Sequence, residues 1–182
     1  MANLSDIDGY NEPDGFEEED DDFYDEDLQR DMYLTFHLAD EDYGLAIRNV
    51  IEIIGVQSMT PVPDMPPFVM GVINLRGAVI PIIDIRLRFG LAPRPYDDRT
   101  CIIVVRASGA HVGIVVDQVR EVALIPEEAI EPAPRIKKGA GARFIEGLGK
   151  VDDEVKILLD INRLLYNDEH LQKANTSADA EV

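Results

Sequence analysis

One cysteine, three histidines and 17 basic residues against 36 acidic ones set the first limits on this chain. Cys101 has no partner for an internal disulfide, which favours a reducing compartment, and a single thiol rules out a cysteine-rich zinc site. Cys101 opens an apolar run and reads as a small hydrophobe rather than a nucleophile. His37, His111 and His170 are isolated from one another, with no HxxH or HExxH spacing, so no metal-ligand cluster is expected. The shortage of base leaves a formal charge of -19, a field that repels nucleic acid and anionic membrane surfaces. Long apolar runs are also missing. Val79 to Ile83 is far too short to span a bilayer, and no basic stretch precedes an apolar one as a signal peptide requires. Together these absences predict a cytoplasmic protein with no nucleic-acid partner, no direct membrane insertion, no metal and no cofactor.

What charge there is lies unevenly. Residues 1–30 hold 13 acidic side chains and one basic one, Arg30, while the remainder carries 23 acids and 16 bases. The run Glu17 to Asp27, EEEDDDFYDED, repels itself and has too little apolar surface to offset the entropy of ordering, so residues 1–30 are expected to form a disordered acidic leader. Its aromatics, Tyr10, Phe16, Phe23 and Tyr24, are its only features beyond charge. The polar residues 167–182 are expected to fray, leaving 31–166 as the folded part.

Within that part, MYLTFHL at Met32–Leu38 alternates apolar and polar residues as an amphipathic strand does. Ala39–Asp42 reads as a turn and Tyr43–Ile47 as the returning strand. Arg48–Ile54 fits either a helical turn or a strand. Four prolines from Pro61 to Pro67 predict an ordered loop held by Val62, Phe68 and Val69. Gly71 to Ile83 reads as a hairpin turned at Asn-Leu-Arg-Gly, followed by one or two helical turns from Asp84 that Gly90 stops. Cys101–Ala107 and Ala110–Val119 form a second hairpin about Ser108-Gly109, and Arg120–Ile125 a further strand. Glu127–Arg143 is expected to be mostly loop, with a helical turn near Pro126–Ile130. Its GAGAR at Gly139 to Arg143 lacks the Gly-Lys-Ser/Thr ending of a phosphate loop and reads as flexible linker. A last hairpin turns at Val151–Asp153, and a short helix spans Asp160–Tyr166. Short strands with Gly- and Pro-rich turns, and no helix long enough for a βαβ crossover, predict an all-β barrel or pair of barrels. IIDI, VVDQ and LLDI echo one another and hint at two similar halves.

The echoes put Asp84, Asp117 and Asp160 at strand ends, where an aspartate can hold magnesium or accept a phosphoryl group. A phosphotransfer or metal-dependent enzyme is therefore the alternative function. The simpler expectation is that Asp84 and Asp160 cap short helices and Asp117 occupies a turn. Arg76 is a different kind of candidate. It stands at the tip of an otherwise apolar hairpin, where a pre-positioned guanidinium can form bidentate bonds to a partner's carboxylate. This points to a binding module rather than an enzyme.

The segments YLTFHLADEDYGLAI, TPVPDMPPFVMGVINLRGAVIPIIDIRLRFG, TCIIVV, GIVVDQVREV and FIEGLGKVDDEVKILLDINRLL together resemble the chemotaxis coupling proteins of the CheW family, from about Met32 to Leu165. VINLRGAVIPIIDI is the most specific of them. The resemblance implies two small five-stranded SH3-like barrels packed together, and a non-enzymatic adaptor. It implies two partners, the regulatory domain of the histidine kinase CheA and the cytoplasmic tip of chemoreceptors, in arrays that carry receptor state to the kinase. It also implies site residues: Arg76 at the position tied to partner binding, Val50 and Glu52 in the receptor-facing region, Gly71 opening the hairpin, and Val69 and Val72 beside Val50 on one protein-binding surface. The acidic leader is longer than the resemblance requires. No receiver domain is expected after Leu165, which disfavours the fused form called CheV and a fragment of CheA.

Overall fold

The computed structural model describes residues 27–134 and 140–166. The expected leader, apart from its last four residues, the expected tail from residue 167, and Gly139 of GAGAR lie outside the described residues. Asp27 to Arg30 are exposed.

The alternating N-terminal run forms β1 (Met32–Leu38), which turns sharply through Ala39, at φ 54°, into β2 (Glu41–Ala46). The turn is tighter than the expected Ala39–Asp42. Both readings of Arg48–Ile54 hold in succession, as a 3-10 turn at Ile47–Asn49 followed by β3 (Val50–Gly55). The proline-rich loop leads to β4 (Val69–Leu75), which pairs with β5 (Ala78–Asp84). Phe68 and Val69 hold that loop against the core, as expected, but Val62 is exposed. α1 (Ile85–Arg88) follows, ended by Phe89 and by Gly90 at φ 72°. β6 (Cys101–Ala107) and β7 (Ala110–Val116) form the second hairpin. β7 stops short of Val119 because Asp117 leaves the ladder, and β8 (Gln118–Leu124) begins beyond it. A 3-10 turn at Glu127–Ala129 fits the expectation, but two elements were not foreseen. These are β9 (Ile130–Pro132) and a 3-10 helix at Ala140–Phe144. The latter replaces the expected flexible linker, because Phe144 is fully buried and stacks on Phe89. β10 (Ile145–Val151), β11 (Glu154–Leu159) and α2 (Ile161–Tyr166) are the last elements of the described residues.

The strands form two β-domains. One sheet has the order β8-β1-β2-β11-β10-β9 and the other β3-β6-β7-β5-β4. The domains are not the two sequence halves that the Asp echoes suggested. Instead two of the hairpins send their next strand to the other sheet: β3 follows β1–β2 but lies beside β6, and β8 follows β6–β7 but lies beside β1. The registers then match almost residue for residue. Gly44 faces Leu158 across the parallel β2–β11 pair, as Gly113 faces Ile82 across β7–β5. A bulge at Val50/Glu52 against β6 matches one in the β1–β8 pair, and a bulge at Val69/Gly71 matches one at Ile145/Gly147. The two glycine positions facing the parallel partner are needed for close approach, since a Cβ on Gly44 would lie 2.8 Å from Leu158 Cδ2 and one on Gly113 2.4 Å from Ile82 Cδ1. The sixth strand is a modest departure. β9 runs along β10 just as Thr60, through a single bridge to Val72, runs along β4.

The main core lies between the two domains and draws on both, with Phe36, Leu38 and Leu45 from one sheet, Ile83, Ile103 and Ile114 from the other, and Ile161, Leu164 and Leu165 from α2. Burying each such side chain contributes about 1.5–3 kcal/mol. A second core of Ile73, Ile80, Ile82, Ile102, Val104 and Val115 fills the five-stranded domain, and a smaller one of Ala123, Ile125 and Leu158 the six-stranded domain.

Candidate functional site

The Arg76 hairpin is a two-residue turn, with Arg76 at φ 50° and Gly77 at φ 87°. Two successive left-handed residues suit the right-handed twist of the flanking strands. Asn74 Oδ1 accepts the Gly77 backbone N–H at 2.9 Å and locks the tip. Arg76 adopts the left-handed conformation itself, which its sequence position did not reveal. Its side chain is 70% exposed and its Nη2 pairs with Oε1 of Glu52 on β3. β3 and β4 are the two edges of the five-stranded sheet. The ion pair therefore spans the seam where that sheet curls on itself, and it presents a guanidinium that is both positioned and accessible. Ile51 and Ile53 on β3 and Val79 on β5 are exposed. A fixed arginine with exposed branched aliphatics is the composition of an interface anchor.

The other site residues expected from sequence occupy three different environments. Val50 and Val69 are half-buried and pack on the main interdomain core from opposite edges of the sheet. Val72 is half-buried on β4, opposite Pro81 on one side and Thr60 on the other. Gly71 is buried at φ 138°, and a Cβ there would lie 2.4 Å from the Thr60 carbonyl oxygen. Its role is to let the proline-rich loop pass against β4 and so fix the hairpin's origin. Ile51, Ile53 and Val79 were missed, because an exposed strand residue and a core one look alike when both faces of the run are apolar.

The three strand-end aspartates are occupied by the protein itself. Asp84 is buried; its Oδ1 accepts the Arg86 backbone N–H at 2.9 Å and its Oδ2 the Tyr96 hydroxyl at 2.8 Å. Burial and that hydrogen bond push the Tyr96 hydroxyl pKa upward. Asp160 accepts the Arg163 backbone N–H at 3.0 Å and caps α2. Asp117 accepts the Ala39 backbone N–H at 3.0 Å from the β1–β2 turn and takes a forked contact from Arg86 at 2.9 Å. Burial would raise the Asp117 carboxyl, but the Arg86 hydrogen bond, the Ala39 N–H and the charges of Arg86 and Arg94 outweigh it and hold it below the ordinary value. Asp117 thus ties one domain to a turn of the other. A second polar knot joins Lys156, buried on β11, to Asp42 at 2.8 Å and Glu154 at 2.7 Å. Burial would raise Asp42 as well, yet Lys156 and His37 hold it low. Capping and cross-bracing account for every one of these carboxylates.

Comparison with known proteins gives a consistent result. The CheW-like domain family matches residues 32–169. The chemotaxis protein CheW of Klebsiella aerogenes is 39% identical over 137 residues, covering 75% of this chain and 82% of that protein. Protein FrzA of Myxococcus xanthus is 30% identical over 136 residues, covering 73% and 84%. Among solved structures, the scaffolding protein TtCheW from Thermoanaerobacter tengcongensis superposes with a TM-score of 0.70 at 39% identity, covering 75% of this chain and 92% of that one.

Proposed function

This chain belongs to the CheW family, and from that premise we propose that it couples chemoreceptors to the histidine kinase CheA within a cytoplasmic signalling array. Family membership carries the coarser statement without the proposal: the protein is a scaffold or adaptor of chemotaxis signalling, not an enzyme. No helix among the described residues is long and apolar enough to cross a membrane. Attachment to a receptor array would then come through protein contacts.

One observation carries the finer reading. The Arg76–Glu52 pair holds a guanidinium at the seam of the five-stranded domain, whose strands β3 and β5 also expose Ile51, Ile53 and Val79. Such a surface suits an amphipathic helix with a carboxylate near its apolar stripe, which is the form a receptor tip would present. The proposed binding set is Arg76 and Glu52 at the centre, with Val50, Val69 and Val72 at the margins and Gly71 fixing the hairpin. The kinase's regulatory domain is the second proposed partner. An adaptor must hold both at once, so the test is sedimentation of the purified chain with a CheA regulatory domain and a receptor cytoplasmic fragment. A ternary species that forms only when this chain is present supports the proposal. Two binary complexes that exclude one another, or stable transfer of phosphate to Asp84, Asp117 or Asp160, would overturn it.

A further inference from the structure

The two tip hairpins rise from matched bases, and one matched pair of residues there differs in kind. Phe68 stands immediately before β4 and Phe144 immediately before β10. The carbonyl of each accepts the backbone N–H of the aspartate that closes the same hairpin, Asp84 at 2.8 Å and Asp160 at 2.9 Å. Beyond those aspartates, at equivalent places in α1 and α2, come Arg88 and Leu164, both buried. Leu164 is one more apolar side chain of the main core. Arg88 is a cation, only 3% exposed.

Burying a guanidinium carries a desolvation cost, and a well-packed apolar side chain is often at least as stable in its place. Leu164 shows that this position in the fold accepts one. The arginine does what a leucine cannot. Its Nε donates to the Leu164 carbonyl at 2.9 Å, from the helix of one domain to the helix of the other. Its Cζ lies 4.5 Å from the ring centre of Phe68 and 4.6 Å from that of Phe144. One planar group therefore touches the bases of both hairpins, and such cation–π contacts strengthen where water is excluded. Displacing either ring costs the buried charge a contact and weakens its hold on the other.

We propose that Arg88 is a positioning residue that makes the bases of the β4–β5 and β10–β11 hairpins open and close as one unit. The consequence for binding rests on the proposed function: a partner held at the Arg76 tip also steadies the Asp152 hairpin of the other domain. Local opening shared by two sites couples them without any larger change of shape. It gives an adaptor a route by which occupancy of one domain is felt at the other.

Native-state hydrogen exchange on the full chain tests the link at the Asp84 and Asp160 amides, which donate to the two phenylalanine carbonyls. Phe68→Leu loosens the first base. In the otherwise wild-type chain it should speed exchange at both amides at least tenfold, with Ile114 of the main core unchanged. In an Arg88→Leu background the same substitution should speed Asp84 alone. Arg88→Lys supplies a second background should the leucine variant not fold. It keeps a cation but no plane to span both rings, and should give the same result. The proposal is overturned if Asp160 does not respond in the wild-type background, responds equally without Arg88, or speeds up only together with Ile114. A receptor cytoplasmic fragment or a CheA regulatory domain is then added. Whichever binds through Arg76 should slow both amides in the wild type and Asp84 alone in Arg88→Leu. Slowing of Asp84 alone in the wild type would contradict the transmission. A fragment that does not bind would count against the proposed function, with the free-chain result still deciding the role of Arg88.

Discussion

The two β-domains share one strand order, matching bulges and a matching glycine at the parallel pair, yet their interiors differ. Where the five-stranded domain places Ile80, Ile102 and Val104, all buried in its own core, the six-stranded domain places Lys156, Tyr33 and Thr35. Where one has Ile73, the other has Gly149, whose missing side chain makes room for Ile125. The hairpin tips differ too: Arg76 and Gly77 in one, Asp152 and Asp153 in the other. The six-stranded domain closes its edge with β9 and a Lys150–Glu131 pair, the five-stranded one with the Thr60 bridge and the Arg76–Glu52 pair. The lesson is that backbone pairing fixes the architecture, and the side chains at equivalent positions then assign the work. The well-packed domain carries a basic tip paired across its seam, the sparser one an acidic tip. The sparser one also leaves a pocket.

The largest expected effect separates the matched glycines of the two hairpins. Gly71→Ala places a Cβ against a backbone carbonyl at a positive φ, so it should cost about 3 kcal/mol or more in urea unfolding. Gly147→Ala meets the movable Ile130 side chain at 2.8 Å, together with the Glu131 carbonyl at 2.9 Å, and its φ is not positive. It should cost roughly half as much. Equal losses would mean that the two edges are closed in the same way after all.

Next comes the brace between the domains. Asp117→Asn removes the charge that receives Arg86 and should destabilise by about 2 kcal/mol. Because Asp117 and Asp42 are held below the ordinary carboxylate pKa when folded, their contribution is fully present above that ordinary value. It is lost as the pH falls through the depressed folded value. Urea midpoints should therefore drop between about pH 5 and pH 3, and drop less in Asp117→Asn than in the wild type. An identical pH dependence in both proteins would remove Asp117 from the account.

The smallest effect on stability is expected at the hairpin tips. Arg76→Glu breaks an ion pair that is mostly exposed on the arginine side, worth at most about 1 kcal/mol. Asp152→Arg at the equivalent tip should be just as mild. A large loss of stability in Arg76→Glu would recast the seam pair as structural.

Much of this was legible in the sequence because the signals were local. The alternation of Met32–Leu38, the Arg-Gly turn and the aspartates placed to cap short helices all depend on near neighbours. The echo of IIDI and LLDI was real, since Asp84 and Asp160 end matched strands and cap matched helices. Its reading as two consecutive halves failed because β3 and β8 change places, and strand exchange leaves no trace in local pattern. β9 escaped notice because three residues between a 3-10 turn and a glycine-rich stretch carry no period. The partner of Arg76 could be suspected only from resemblance, since Glu52 lies on the far edge of the sheet.

The most direct test measures binding of the Arg76→Glu full chain to a receptor cytoplasmic fragment and to a CheA regulatory domain by calorimetry, with thermal unfolding recorded on the same samples. The account predicts an unchanged fold and melting temperature to within a few degrees. It also predicts at least a tenfold loss of affinity for one or both partners, and no such loss for Asp152→Arg in the receptor titration. Undiminished affinity for both partners in Arg76→Glu would contradict it, leaving the seam pair as an ordinary surface contact.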